Sequence, residues 1–471
     1  MAPRFSSFSS PLWILLLGFI LCKVDGTDQT VSAHLHVDLK TVQPRDSCLP
    51  SVNVKFAAGG SSGRNWTSLR VVHRHGPCSP FAGQQKQLSH AKILDLDQAR
   101  VDDIHRIVSH YKPLATSDSA TTLPARSGAY IGSGNYVVTV GFGTPKKDQT
   151  VIFDTGSSVS WIQCRPCVSC YEQEAPLFDP SLSSTYANIP CASSFCDELG
   201  NPTCSASNCM YGVNYLDNSS TFGFYVQDTL TLSADSIPGF RFGCGDNNTG
   251  LFHGNDGLLG LGRDKPSIVS QTYTKYGGVF SYCLPLTSSS VGYLAFGSYP
   301  AGNLMLTPML SNPSDPRFYY LALTGISVDG QLLSVPPSIF NNSGTVIDSG
   351  TVITRLPDTA YSALRSAFRQ GMTAYKRVPG YELLDTCYDF SGSDGKGNIP
   401  SVALHLGGGV TINLGKARVL YTLSSSQTCL AFASNGDDSS VGILGNTQQK
   451  GFNVLYDINK RVIGFGPGGC S

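Results

Sequence analysis

The sequence predicts a mainly β protein built from two related halves. The 471-residue chain contains 50 glycines and 27 prolines, and only 14% of its residues are charged. Such a composition favours short strands and turns over long helices. In residues 151–158 an apolar run leads into Asp154, a hydroxyl residue and a glycine, and residues 345–351 repeat this order around Asp348. One Asp after a strand is commonly a turn residue, but two copies indicate a duplicated unit.

A second repeated element supports the duplication. Residues 257–262 read Gly-Leu-Leu-Gly-Leu-Gly, and residues 441–446 read Val-Gly-Ile-Leu-Gly-Asn. Each lies about a hundred residues after the Asp turn of its own half, which is a separation of domain size. The polar, proline-containing stretch 307–317 suits a boundary. We therefore expect an N-terminal lobe over residues 127–311 and a C-terminal lobe over residues 312–471.

The N-terminus has the features of a secretory signal. Arg4 precedes an apolar run over residues 11–20, and small and polar residues follow to Gly26. The run is too short to span a bilayer, and no other segment of the sequence has the length and apolar character to do so. We assign residues 1–26 to a signal peptide. A transit peptide is the alternative, because the start is rich in serine and lacks acidic residues before Asp25.

Residues 27–126 differ in composition from the rest and are predicted to be a propeptide. They carry 12 Lys/Arg against 8 Asp/Glu and seven of the nine histidines. An amphipathic helix is predicted over about residues 90–110. Its apolar positions fall near helical spacing: Ile93, Leu96, Val101, Ile104 and Val108. The Ser-, Thr- and Gly-rich stretch 116–134 suits an exposed, cleavable linker.

The cysteines indicate disulfides. Twelve of the 15 lie between Cys164 and Cys470, an even number behind a signal peptide. The spacing Cys164-x2-Cys167-x2-Cys170 is also compatible with a metal cluster. Histidine is nearly absent nearby and the context is secretory, so we favour disulfides and expect no metal.

Two carboxylates in one site suit peptide hydrolysis. Like charges at about 3 Å cannot both ionise, so one carboxyl keeps its proton while the other acts as a base. Such a pair can activate a water and protonate a carbonyl oxygen at acidic pH, without a cofactor. Rival catalysts lack support in the sequence. It contains no His-Glu-x-x-His, and only His253 and His405 lie beyond the linker.

These residues carry a family resemblance. Residues 154–157 with Trp161, residues 348–351 and the two Gly-bounded elements resemble a pepsin-type (family A1) aspartic protease. A Cys-rich insertion over residues 164–209 and residues 73–80, His-Arg-His-Gly-Pro-Cys-Ser-Pro, resemble the plant nepenthesin-like group. The likeness covers about residues 70–471. It extends to secreted apoplastic aspartyl proteases and to a relative described as a chloroplast nucleoid DNA-binding protease. It implies a bilobal fold with a cleft between two β-rich lobes.

The resemblance also implies roles for particular residues. Asp154 and Asp348 would be the catalytic pair. The supporting residues of the two turns would be Thr155, Gly156, Ser157, Ser349, Gly350 and Thr351. Of these, the first hydroxyl in each turn would tie the two loops together, and the second would hydrogen-bond a carboxylate.

A flap is implied as well. Tyr215 would close over the substrate, with Trp161 as its hydrogen-bond partner. The family usually reads Tyr-Gly-Asp-Gly-Ser, whereas residues 215–219 read Tyr-Leu-Asp-Asn-Ser. The loss of both glycines restricts the backbone at the flap tip and puts the substrate preference in question.

Disulfide partners and glycosylation sites complete the expectations. By resemblance the pairs would be Cys164–Cys167, Cys170–Cys244, Cys191–Cys209, Cys196–Cys204, Cys283–Cys470 and Cys387–Cys429; sequence alone leaves this connectivity open. Glycosylation sequons begin at Asn65, Asn218, Asn247 and Asn341.

The leading hypothesis is a secreted, monomeric aspartic endopeptidase that cuts protein or peptide substrates beside bulky apolar residues. The apoplast is the expected location, with the vacuole or chloroplast as alternatives. A catalytically inactive pepsin-fold binding or inhibitor protein is a second hypothesis, although this chain keeps both Asp turns. Nucleic-acid binding is a third. It is disfavoured because residues 127–471 carry 19 Lys/Arg against 24 Asp/Glu.

The charge difference suggests that the propeptide is the enzyme's own inhibitor. The basic, histidine-rich residues 27–126 would be attracted to the acidic residues 127–471, here called the catalytic body. Acidification would charge the histidines and neutralise the carboxylates, which would release the segment. The alternative is a folding aid whose histidines are merely solvated.

Overall fold

The computed structural model describes most of the chain beyond its N-terminal region. The described residues are 48, 56–57, 66–82, 88–110, 136–214, 219–250, 252, 254–312, 315–340, 344–392 and 398–470. They belong to one compact unit, Gln43–Ser471. The predicted signal peptide, the linker, the flap residue Tyr215 and the sequons at Asn65, Asn218 and Asn341 lie outside the described residues.

Strands dominate the described residues, which confirms the predicted fold class. The predicted propeptide contributes β1 (Phe56–Ala57), β2 (Thr67–His73) and α1 (His90–His110). The following half contains β3 (Tyr136–Phe142), β4 (Lys147–Asp154), β5 (Trp161–Gln163), β6 (Ala187–Asn188), α2 (Ser194–Asp197), β7 (Thr203–Ser205), β8 (Asn208–Asn214), β9 (Ser220–Leu232), β10 (Asp235–Thr249), β11 (Gly257–Gly260), α3 (Ile268–Gln271), α4 (Tyr273–Tyr276), β12 (Val279–Cys283), β13 (Val291–Phe296), β14 (Tyr299–Pro300) and β15 (Met305–Pro308).

The last part of the chain is also strand-rich. It contains β16 (Tyr320–Leu321), β17 (Leu323–Val328), β18 (Gln331–Leu332), β19 (Thr345–Ile347), β20 (Thr354–Leu356), α5 (Asp358–Gly371), β21 (Lys376–Val378), β22 (Cys387–Asp389), β23 (Val402–Leu406), β24 (Val410–Leu414), α6 (Lys416–Val419), β25 (Leu420–Ser424), β26 (Gln427–Leu430), β27 (Phe432–Ser434), β28 (Gly442–Leu444), α7 (Asn446–Gln449), β29 (Asn453–Asp457) and β30 (Val462–Gly466). Short 3-10 turns cover Pro180–Leu182, Pro337–Phe340 and Gly407–Gly409.

The helix predicted over about residues 90–110 is present, and so is a second helix, which the helical spacing of Leu364 and Phe368 after Leu356-Pro357-Asp358 predicts. α1 spans His90–His110, and α5 begins at Asp358, directly after Pro357. Pro357 suits this position because it fixes φ and offers no N–H that a following helix would need. Leu364 and Phe368 lie on the buried face of α5 and pack into the main core.

The two halves repeat one strand arrangement around the Asp turns. β4 lies parallel to β11, with Asp154 opposite Gly260, and β11 lies antiparallel to β5. In the other half β19 lies parallel to β28, and β28 lies antiparallel to β20. The Gly-bounded elements found in the sequence are therefore the strands that flank the two Asp strands, in agreement with an internal duplication.

One strand of the largest sheet comes from the predicted propeptide. β2 lies between β13 and β3, pairing Leu69 with Leu294 and Val72 with both Val291 and Val137. Its side chains at Leu69 and Val72 are buried. No strand was predicted here, although Thr67–His73 is rich in the β-branched residues that favour strands.

Seven disulfides are formed among the described residues, and four of the six expected pairings are wrong. The pairs are Cys48–Cys78, Cys164–Cys244, Cys167–Cys170, Cys191–Cys204, Cys196–Cys209, Cys283–Cys470 and Cys387–Cys429. The last two pairs confirm the expectation, and the two cysteines of the predicted propeptide also pair with each other. Every cysteine that could have formed a metal cluster is in a disulfide.

The wrong pairings have geometric causes. Cys164 follows β5, which runs parallel beside β10, and this brings it within 5.3 Å (Cα–Cα) of Cys244. In the insertion, Cys204 and Cys209 face each other across the β7–β8 hairpin. Cys191 and Cys196 therefore both lie near this pair of cysteines. Sequence spacing does not distinguish the two ways of joining the four residues.

Candidate active site

Asp154 and Asp348 lie close together. Asp154 is the last residue of β4, and Asp348 directly follows β19. Both side chains are almost fully buried, at 1% and 0% exposure. Within each turn the carboxylate accepts a hydrogen bond from the glycine two residues on, Gly156 N at 3.0 Å and Gly350 N at 3.1 Å. The two Asp-hydroxyl-Gly turns thus orient their carboxylates by the same local bond.

Thr155 and Ser349 join the two turns directly. The Ser349 N–H donates to Thr155 Oγ1 at 2.9 Å, and the Thr155 N–H donates to Ser349 Oγ at 3.2 Å. Because the two bonds are reciprocal, the carboxylates of the two halves are fixed relative to each other. The contact expected from the sequence is present.

Glycine is needed in both turns because there is no room for a side chain. A Cβ on Gly156 would lie 2.9 Å from Asp348 Oδ1, and one on Gly350 would lie 2.7 Å from Asp154 Oδ1. Each glycine therefore faces the carboxylate of the other half. The short distances also show how closely the two turns approach each other.

The second hydroxyls of the turns differ from each other. Thr351 Oγ1 donates to Asp348 Oδ2 at 2.5 Å, as expected. Ser157 Oγ lies near Asp154, but among the described residues it is buried without a partner in hydrogen-bond geometry. The expected bond from Ser157 is therefore not formed in this arrangement.

Arg100, from α1, occupies the space between the two carboxylates. Its Nη2 lies 2.6 Å from Asp154 Oδ1 and 2.6 Å from Asp348 Oδ1, and its Nε lies 2.6 Å from Asp348 Oδ2. The Arg100 side chain is 0% exposed. One planar guanidinium thus bridges both carboxylates, a geometry that lysine cannot reproduce.

The guanidinium controls the protonation of the pair. Burial raises the pKa of both carboxyls, and Arg100 opposes this effect. The net result is a raised pKa for Asp154 and a lowered pKa for Asp348, which also accepts from Thr351 and Gly350. Burial lowers the pKa of Arg100, but the two carboxylates outweigh it and raise that pKa.

The apolar face of α1 covers both halves of the cleft. Leu96 packs in a cluster with Trp161 and Phe252, whereas Ile104 packs in another with Phe318 and Ile443. Near the start of the helix, Ile93 and Leu94 lie in a cluster with Val352, Ile353 and the Cys387–Cys429 disulfide. The helix is therefore fixed on both sides of the two carboxylates.

Arg100 was not predicted to be a functional residue, although the sequence contains a signal for it. Arg100 lies four residues after Leu96 and four before Ile104, so it falls on the buried face of the predicted helix. A charged residue at such a position is rarely buried without a partner. The prediction rested on the summed charge of the segment, in which the position of a single arginine carries no weight.

Trp161 is buried at 1% exposure, and its ring lies 5.0 Å from that of Phe252 in an edge-on contact. Since Tyr215 lies outside the described residues, the expected pairing between Trp161 and the flap stays a prediction.

Asn247, the one sequon asparagine among the described residues, is exposed on β10.

The site and the fold define a class of protein: a pepsin-like aspartic endopeptidase. Family models described as xylanase inhibitor N-terminal and C-terminal match residues 136–298 and 318–467. An aspartyl protease family protein of Arabidopsis thaliana is 46% identical over 92% of this chain and 94% of its own length. Aspartic proteinase nepenthesin-2 of Nepenthes gracilis is 36% identical over 86% of this chain and 94% of its own.

The chain therefore belongs to the plant aspartyl protease family that includes the nepenthesins, as the sequence predicted. Solved structures share the fold at low identity. Conglutin gamma from lupine seeds has a TM-score of 0.60 at 18% identity, covering 86% of this chain and 95% of its own. Basic 7S globulin from soybean has a TM-score of 0.58 at 20% identity, covering 71% and 91%. Within the described residues, no helix is both long and apolar enough to cross a bilayer.

Proposed function

We propose that this aspartic endopeptidase is secreted as a latent precursor, with Asp154 and Asp348 as its catalytic pair. Residues 27–126 act as its own inhibitor, and it works as a monomer at acidic pH. The observation that carries the proposal is the guanidinium of Arg100, held between the two carboxylates by a helix that covers the cleft.

The proposed chemistry requires that Arg100 leave the space between the two carboxylates. The two carboxylates then share one proton, since both cannot ionise so close together. The ionised carboxylate takes a proton from a water as the water attacks the scissile carbonyl, and the protonated carboxyl donates its proton to the carbonyl oxygen. An acidic working range follows because full ionisation removes the acid of the pair.

The lining of the cleft supports a preference for bulky apolar residues beside the scissile bond. In the precursor, Leu96 and Ile104 of α1 flank Arg100 and pack against side chains of both halves. When the helix leaves, these apolar surfaces become available to a substrate. Burying a Leu- or Phe-sized side chain there contributes roughly 1.5–3 kcal/mol.

The segment's histidines support a pH-controlled release, by a different route from simple charge repulsion. Burial lowers the pKa of His73 from 6.5 to about 3 and that of His75 to about 4, with nearby cations adding to the effect. Burial also lowers the pKa of His90 and of His105, whose Nε2 lies 2.9 Å from Val441 O. The bound segment therefore keeps these histidines neutral, and the released segment protonates them first.

We expect binding of the segment to weaken as pH falls from about 6.5 towards 4, because only the released form takes up these protons. Replacing His73 and His105 by Gln should lower the pH midpoint of self-processing and make the transition shallower. The measurement is the appearance of the mature chain with time across a pH series. His405→Gln, on β23, is the matched control. An unchanged profile in the double variant would favour the folding-aid alternative.

The proposed function is tested directly on the mature protein. We expect it to degrade unfolded globin at about pH 3, to lose this activity at about pH 7, and to be inhibited by pepstatin. Cleavage that ignores pepstatin would contradict the proposed mechanism. Secretion is tested separately, by tracking a C-terminally tagged full chain in plant cells; retention in the vacuole or chloroplast would overturn that part.

A further inference from the structure

A second ionic contact links α1 to the cleft, three residues before Arg100. The Asp97 carboxylate accepts hydrogen bonds from Val352 N at 2.5 Å and Ile353 N at 3.1 Å. It also lies 3.1 Å from Nη2 of Arg355, and both side chains are 0% exposed. Two backbone N–H groups and one guanidinium therefore converge on a single carboxylate.

The catalytic body supplies the donors of this contact, and α1 supplies the acceptors. Arg355 Nη2 also donates to Gln98 Oε1, on α1, at 3.2 Å, whereas its Nη1 donates to Ile353 O at 2.8 Å. Burial lowers the pKa of Arg355, and the carboxylates that oppose this effect, Asp97 and Asp102, both belong to α1. When α1 leaves, the donors remain in the cleft and lose these acceptors.

After α1 has left, this set of donors favours the binding of another carboxylate in place of Asp97. A cation left without its partner in a partly dry site is costly, and a planar guanidinium beside two N–H groups fits a carboxylate well. The site is also close to the chemistry. Three helical residues separate Asp97 from Arg100 by about 4.5 Å along the axis. An extended peptide covers about 3.3 Å per residue, so the site lies within a few residues of the scissile bond.

We propose that Arg355, with the backbone N–H groups of Val352 and Ile353, forms a subsite of the mature enzyme that binds one acidic side chain of a peptide substrate. The proposal rests on the proposed function and adds a substrate class to it. Substrates then combine bulky apolar residues at the scissile bond with one Asp or Glu at a fixed distance from it. Asp97 occupies this subsite in the precursor.

The test uses the mature enzyme obtained by processing of the full chain. Peptides with apolar residues at the scissile bond carry Glu, or the isosteric Gln, at each position from four residues before the bond to four after it. At about pH 5 most of the free Glu is ionised. We expect one position where Glu gives a kcat/KM about tenfold or more above Gln, because a hydrogen bond between a guanidinium and a carboxylate is stronger than one to a neutral amide.

Variants tie the preference to Arg355. In Arg355→Met the Glu/Gln ratio should fall to about one, and in Arg355→Lys it should fall part of the way, because an ammonium keeps the charge but not the fork. Arg365→Gln, on α5, should keep the full ratio. A ratio near one at every position in the unaltered enzyme overturns the subsite even if the variants do not fold. Failure to cleave any peptide, neutral ones included, counts against the proposed function instead.

Discussion

Asp154→Asn and Asp348→Asn should each lower kcat at least about 1,000-fold, because either change removes one of the two proton-transfer groups. An amide has nearly the same shape as a carboxyl, so the turn and its bond from the glycine N–H can persist. The double variant should be little worse than either single variant, since the pair acts as one unit. The measurement is cleavage of unfolded globin at about pH 3 by the mature chain.

A matched control separates chemistry from charge. Asp385→Asn removes a carboxylate that is 40% exposed, pairs with Arg365 of α5 and belongs to neither Asp turn. It should leave kcat within about twofold, as is usual for exposed sites. Full activity in Asp154→Asn would contradict the assignment of the catalytic pair, whatever the fold of the variant.

The elements that short-range interactions determine could be predicted from local sequence patterns. The two Asp turns, α1 and α5 were found because apolar spacing, a proline before the helix and glycines at the turns act over a few residues. The reciprocal bonds of Thr155 and Ser349 were expected only through the family resemblance. Nothing in either half alone indicates that the two turns will meet.

Long-range contacts were where the sequence analysis failed. The pairing of Cys164 with Cys244 depends on β5 lying parallel beside β10, and parallel pairing of distant strands leaves no local signal. β2 was missed because the segment was interpreted as removable, although its backbone pairs with both β13 and β3 and completes the sheet between them. The position of Arg100 on the buried face of α1 was visible, but its partners lie 54 and 248 residues away along the chain.

Arg100→Met should release the precursor from latency. Methionine fills much of the space of the arginine stem but leaves two carboxylates buried together beneath α1 without a cation. Removing one partner of a buried ion pair costs about 3–5 kcal/mol. Methionine should therefore shift the segment towards its open form and allow self-processing at a higher pH than in the unaltered chain.

The appropriate comparison is Lys92→Met, on the same helix. Lys92 pairs with Asp95 within α1 and both side chains are exposed, so its loss leaves the contact with the two carboxylates intact. Both variants remove one positive charge from the segment. A summed-charge attraction would therefore predict equal effects, whereas a specific bridge predicts early processing only in Arg100→Met. If both variants process alike, general attraction controls latency. If Arg100→Met instead yields less folded protein with an unchanged processing profile, the segment serves folding and not inhibition.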